Sequence, residues 1–69
     1  MDVRAEMVAQ VHSVLVEPGA VIAVGDTLVV LESMKMEIPV LAEASGTVAE
    51  IAVAVGDVIH EGDLIAVVL

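Results

Sequence analysis

Aliphatic residues fall in short clusters along the chain, notably Val14 and Val16, Leu28 to Leu31, Ile38 to Leu41, Ile51 to Val55 and Leu64 to Val68, with glycine, proline or acidic residues between them. Val14 and Val16, and likewise Ile51, Val53 and Val55, occupy alternate positions, as strands buried on one face require. Valine and isoleucine favour that extended conformation because their branched Cβ restricts χ1. Pro18 and Pro39 mark a turn or a sheet edge. The pattern predicts short strands throughout and leaves almost no place for helix.

The second half of the chain echoes the first at an offset of 37 residues. Gly25-Asp26-Thr27-Leu28-Val29-Val30-Leu31 aligns with Gly62-Asp63-Leu64-Ile65-Ala66-Val67-Val68. The same offset pairs Val11 with Val48, Val14 with Ile51, Val16 with Val53, Gly19 with Gly56, Val21 with Val58 and Ile22 with Ile59. Two four-strand repeats, neither able to bury its own apolar face, predict a flattened eight-strand antiparallel barrel or sandwich with approximate two-fold symmetry, the repeats packed face to face. Residues 1–69 read as a single domain, since a chain this short supports one core. Asp26 and Asp63, beside glycine in both repeats, are expected to stabilise turns through side-chain to backbone hydrogen bonds.

Composition narrows the function. Hydrophobic residues make up 59% of the 69 residues with no Phe, Tyr or Trp, so the core is aliphatic. Mean hydropathy is high at +1.05, but charges interrupt every apolar run before the roughly 18 to 20 residues a membrane span needs. No membrane association is expected. The amino-terminal segment lacks a secretory pattern, and the chain is expected to be cytoplasmic. Eleven acids against Arg4 and Lys35 give a formal charge of −9, which repels phosphate backbones and argues against nucleic acid. With no cysteine and two histidines there is no disulfide framework, and no metal site or nucleophile with a paired base is expected. His12 and His60 read as surface residues.

The single lysine stands in Glu32-Ser33-Met34-Lys35-Met36-Glu37, near the middle of the chain. Met34-Lys35 lies between the apolar runs Leu28 to Leu31 and Ile38 to Leu41, where a two-residue hairpin would join the repeats and put Lys35 at a tip. Met-Lys is not the Asn-Gly or Asp-Gly pair that such a turn prefers, and departures from local preference mark functional sites. Met34 and Met36 either fill the core or offer soft, adaptable contacts beside the lysine. Glu32 and Glu37 either solvate the hairpin or take part in its recognition.

This segment, preceded by a Gly-Asp turn and followed by Gly46-Thr47-Val48, resembles the biotinyl attachment domain of biotin carboxyl carrier proteins, within the wider biotinyl/lipoyl attachment family. The resemblance covers nearly the whole chain, from Ala5 to Leu69, and includes the internal repeat. It implies that Lys35 receives covalent biotin from a biotin protein ligase, with Ser33, Met34, Met36, Glu32 and Glu37 as the surrounding recognition residues. It further implies that the biotin arm carries a carboxyl group from a biotin carboxylase to a carboxyltransferase. The chain would then be a carrier rather than an enzyme. Two departures stand out: Ser33 where the family usually has alanine, and Ala5-Glu6-Met7-Val8-Ala9 where it has an Ala-Pro-Met-Pro-Gly-like segment. No protruding thumb fits between Val16 and Val24.

Two other functions fit the same residues less well. Lipoyl carrier domains share the implied barrel but usually carry Asp-Lys-Ala at the tip. An unmodified interaction domain would use valine-rich edges to pair with another chain.

Overall fold

The computed structural model describes all 69 residues. Eight strands follow one another: β1 (Asp2–Arg4), β2 (Ala9–Val14), β3 (Val21–Ile22), β4 (Thr27–Ser33), β5 (Met36–Leu41), β6 (Gly46–Ile51), β7 (Val58–Ile59) and β8 (Leu64–Val68). There is no helix, and so none long and apolar enough to cross a membrane. The expected all-β architecture is what forms. The strands make two four-stranded antiparallel sheets in the orders β1-β8-β6-β3 and β5-β4-β2-β7.

The internal repeat is structural as well as sequential. Shifting β2 and β3 by 37 residues reproduces the bounds of β6 and β7. Exchanging each strand for its counterpart turns one sheet order into the other. The repeats do not, however, stack one upon the other. Each sheet takes two strands from each half, and the chain alternates between sheets at every step except one, from β4 to β5. Interleaving follows from the strand lengths: β1 and β3 are three and two residues long, too short to complete a sheet with β2 and β4 alone.

Thirteen residues are buried, all of them apolar. Twelve form pairs at the repeat offset: Ala5 with Ala42, Val11 with Val48, Ile22 with Ile59, Leu28 with Ile65, Val29 with Ala66 and Leu31 with Val68. Burying each larger aliphatic side chain contributes roughly 1.5–3 kcal/mol before conformational entropy is subtracted. The central strands β4 and β8 supply Leu28, Val29, Ile65 and Ala66, each 0% exposed. Their registers shift at Leu28 and Ile65, and those of β2 and β6 at His12 and Ala49, two bulges per repeat, which bend the sheets around the core.

The Gly-Asp turns clamp the repeats together. Gly25 N–H donates to Ala42 O at 2.9 Å and Ala42 N–H donates to Asp26 O at 2.8 Å; Gly62 and Asp63 bond Ala5 in the same way. Asp26 Oδ2 accepts from Ala23 N–H, and Asp63 Oδ2 from His60 N–H, both at 2.9 Å. The expected turn role of the two aspartates is therefore present. Val53 and Val55 depart from expectation: β6 ends at Ile51, and the chain then turns, with Asp57 Oδ2 accepting from Ala54 N–H at 2.9 Å. Val53 still packs on the core from that irregular segment, while Val55 is exposed.

The sandwich is open along one seam, where a groove of about 810 Å³ runs between the edge strands β1 and β5. Pro39 in β5 removes an N–H from that edge, which discourages further strand pairing.

The thirteenth buried residue, Ala9, has Gly46 as its counterpart. A Cβ at Gly46 would lie 2.3 Å from the Leu69 carbonyl oxygen and 2.9 Å from Val68 Cγ1. Gly46→Ala should therefore cost about 1–3 kcal/mol, read as a fall in Tm on thermal unfolding, although alanine sits comfortably at the equivalent position 9. An unchanged Tm would show that the β6–β8 end is looser than described.

Candidate functional site

The β4–β5 connection is the one place where consecutive strands pair in the same sheet. Its register runs Leu31 with Ile38, Glu32 with Glu37 and Ser33 with Met36, leaving Met34 and Lys35 as a two-residue loop. Both loop residues have left-handed backbones, with φ of 54° at Met34 and 65° at Lys35. They are the only non-glycine residues with positive φ. Two consecutive positive values are what a type I′ turn requires, because that turn matches the right-handed twist of the strands it joins. Side chains with a Cβ pay for this conformation, by roughly 1–2 kcal/mol per residue. The strands impose the turn on residues that do not favour it.

The strained tip is exposed. Met34 is 90% and Met36 62% accessible, so neither fills the core. Lys35 is exposed and takes part in no hydrogen bond or ion pair. The chain's other primary amine, the amino terminus, donates to the Val68 carbonyl. Ser33 is half-buried. None of residues 32–37 lines the groove at the seam, so the lysine is displayed on a protrusion and not set in a cleft.

Glu32 and Glu37 face each other across the hairpin as like charges, an arrangement that sheets disfavour by a fraction of a kcal/mol, roughly 0.2–1. Both are exposed. His12 was expected on the surface, and it is exposed, but its Nε2 lies 3.6 Å from Glu37 Oε1, reaching across β4 from β2. This neighbour of the hairpin was not legible in sequence. The β2–β4 register shifts between Val11 and Ser13, and that bulge sets where His12 projects. His60, also exposed, has Nδ1 3.8 Å from Asp63 Oδ2 within its own turn. No group of three or more His, Asp or Glu side chains converges as metal ligands would.

This arrangement displays a single lysine amine on a protruding hairpin. It has no base beside the amine and no cavity around it.

Comparison with known proteins adds to this geometry. A family model described as biotin-requiring enzyme matches residues 2–68. The chain is 63% identical over 67 residues to a Mycobacterium leprae homologue of biotinylated protein TB7.3, covering 97% of this chain and 94% of that one. It is 42% identical over 65 residues to a Bacillus subtilis biotin/lipoyl attachment protein, covering 94% and 89% respectively. Among solved structures, Kluyveromyces lactis urea carboxylase superposes with a TM-score of 0.93 at 30% identity, over 100% of this chain and 6% of that one. The lipoyl domain of the 2-oxoglutarate dehydrogenase complex from Azotobacter vinelandii superposes with a TM-score of 0.85 at 28% identity, over 100% and 95%.

If the tip is strained as its φ values indicate, Met34→Asn should stabilise the protein by roughly 0.5–1 kcal/mol, because asparagine tolerates the left-handed region. The check is Tm by differential scanning calorimetry, where a gain of this size raises a domain this small by a few degrees, about 2–8 °C. A lowered Tm would mean that Met34 makes stabilising contacts its exposure does not reveal.

Proposed function

The chain belongs to the biotinyl/lipoyl attachment family, and from that premise we propose that Lys35 is where a biotin protein ligase attaches biotin in amide linkage. The observation that carries this reading is the display of the only lysine, unpaired, on a strained two-residue tip. Once deprotonated in the ligase site, Lys35 Nζ attacks the carbonyl carbon of a biotin carboxyl group activated with ATP. The bond to the activating group breaks, that group departs, and the lysine becomes a neutral amide. The interleaved sheets hold β4 and β5 in register, so the amine enters the ligase on a fixed protrusion. Ser33, Met34, Met36, Glu32 and Glu37 form the surface that the ligase meets around it.

Bound biotin would supply a ureido nitrogen able to carry a carboxyl group. Lys35 then serves as the anchor of a swinging arm, and tethering makes delivery a local search at high effective concentration. We assign the loading step to a biotin carboxylase and the unloading step to a carboxyltransferase. The urea carboxylase superposition and a 42% identical Mycobacterium leprae acyl-coenzyme A carboxylase subunit, of which this chain spans 11%, support such partners. The charge of −9 favours basic rims on those enzymes, an attraction that weakens with salt.

Fold does not choose between biotin and lipoate, since carriers of both kinds superpose closely. The biotin-requiring family description, the biotinylated relatives and the Met34-Lys35-Met36 tip favour biotin. Strand pairing with another chain is the weakest of the three readings, because the edge strands β1, β3 and β7 have three residues or fewer and the longer edge strand β5 carries Pro39.

The test is parallel incubation of the purified chain and its Lys35→Ala and Lys35→Arg variants with a biotin protein ligase or a lipoate ligase, each with ATP and its acid, read by intact mass. One biotinyl increment on the native chain and none on either variant is expected. A lipoyl increment alone would reassign the cofactor, and a biotinyl increment that survives in the variants would remove Lys35 from the site.

A further inference from the structure

We infer that Met34 and Met36 form a reversible oxidation site: their conversion to methionine sulfoxide would block recognition of Lys35. The inference rests on the biotin-carrier reading above. Its first support is the set of groups that an oxidant can reach. The chain has no cysteine, tyrosine or tryptophan, so its four thioethers are its only sulfur and its principal targets for peroxide. Met34 is 90% exposed and Met36 62%, against 46% for Met1 and 39% for Met7. Oxygen transfer needs a sulfur lone pair open to solvent, so Met34 and then Met36 should react first.

The second support is position. These two side chains stand on either side of the lysine, at the tip of the hairpin, and the fold gains no buried contact from Met34. An enzyme that takes Lys35 into its active site must cover both. A thioether suits such a surface because it is apolar and adaptable. A sulfoxide places a strong hydrogen-bond acceptor there, and covering it without a donor is costly.

The chemistry balances with hydrogen peroxide as oxidant. The sulfur lone pair attacks one peroxide oxygen, the O–O bond breaks, an S–O bond forms, and the other oxygen leaves as water after proton transfer. The sulfur loses two electrons and the peroxide gains them. Methionine sulfoxide reductases reverse the change, a dithiol being oxidised to a disulfide while the oxygen departs as water.

The experiment is a graded hydrogen peroxide treatment of the purified chain, quenched and divided. One portion is mapped by peptide mass, one is melted, and one is offered to a biotin protein ligase. Met34 should gain oxygen first and Met36 second, with Tm unchanged because neither side chain is packed. The ligation rate should fall about tenfold, and reductases acting on both sulfoxide epimers should restore it. Met7→Leu should keep the peroxide sensitivity, whereas the double variant Met34→Leu, Met36→Leu should show the same rate before and after peroxide, whatever that rate is.

Earlier oxidation of Met1 or Met7, or an undiminished rate for chain carrying sulfoxide at Met34 and Met36, would overturn the inference and leave the carrier reading intact. If the untreated chain took no biotin from an active ligase, the carrier reading would fail, and this inference with it.

Discussion

Neither half of this chain completes a four-stranded sheet without the other: each contributes one strand pair to one sheet and two single strands to the other. Within each repeat no strand pairs with its immediate neighbour, since β1 and β3 lie in one sheet and β2 and β4 in the other. Of the ladders that hold β4 and β8 at the centre of the core, β2–β4 and β6–β8 form within a repeat, β4–β5 is the hairpin between repeats, and β1–β8 joins segments far apart in sequence. Leu28, Val29, Ile65 and Ala66 are sealed from water only once the halves interleave, and the Gly25-Asp26 and Gly62-Asp63 turns clamp each half to a strand end of the other. An aliphatic core with no aromatic side chain is thereby closed in 69 residues. Such a structure should fold as one unit, because half of it leaves its apolar faces exposed.

The two-fold pattern breaks at the β4–β5 hairpin. Its counterpart under the repeat is the place where β8 meets β1, and there Met1 and Val68 pair through backbone hydrogen bonds. The hairpin is the one pairing of consecutive strands, and it bears the one lysine. The packed strands beneath it sustain two left-handed non-glycine residues in succession, an unfavourable conformation that persists where surrounding structure over-determines it. A tip built this way holds its residues in fixed directions. Looser sequences such as Asn-Gly would make the same turn with less strain but would not carry the lysine and its methionines.

Much of this was legible in the residues. Glycine, aspartate and valine recurring at one offset revealed the repeat, and the turn role of Asp26 and Asp63 followed from their position beside glycine. The site of the hairpin followed from the two apolar runs that flank Met34-Lys35. What the repeat could not reveal was which strands would pair, because an offset identifies equivalent segments and not neighbours; interleaving emerged only from the sheet orders. Alternation at Val53 and Val55 imitated a strand where the chain turns, since one inward valine after Ile51 suffices to cover the core. The approach of His12 to Glu37 depends on a bulge, and bulges have no periodic signature. Exposure of both methionines was likewise undetermined, because residues flanking a tip can fold back or project, and here the positive φ at Met34 sends its side chain outward.

The account as a whole stands on Lys35 being the position that carries biotin in the cell. The most direct test is the mass of the protein isolated from cells that make it naturally, followed by fragmentation of the peptide spanning Glu32 to Glu37. A single biotinyl group on Lys35, and none on the amino terminus, is the predicted result. Unmodified Lys35 in cells whose biotin ligase is demonstrably active would contradict it.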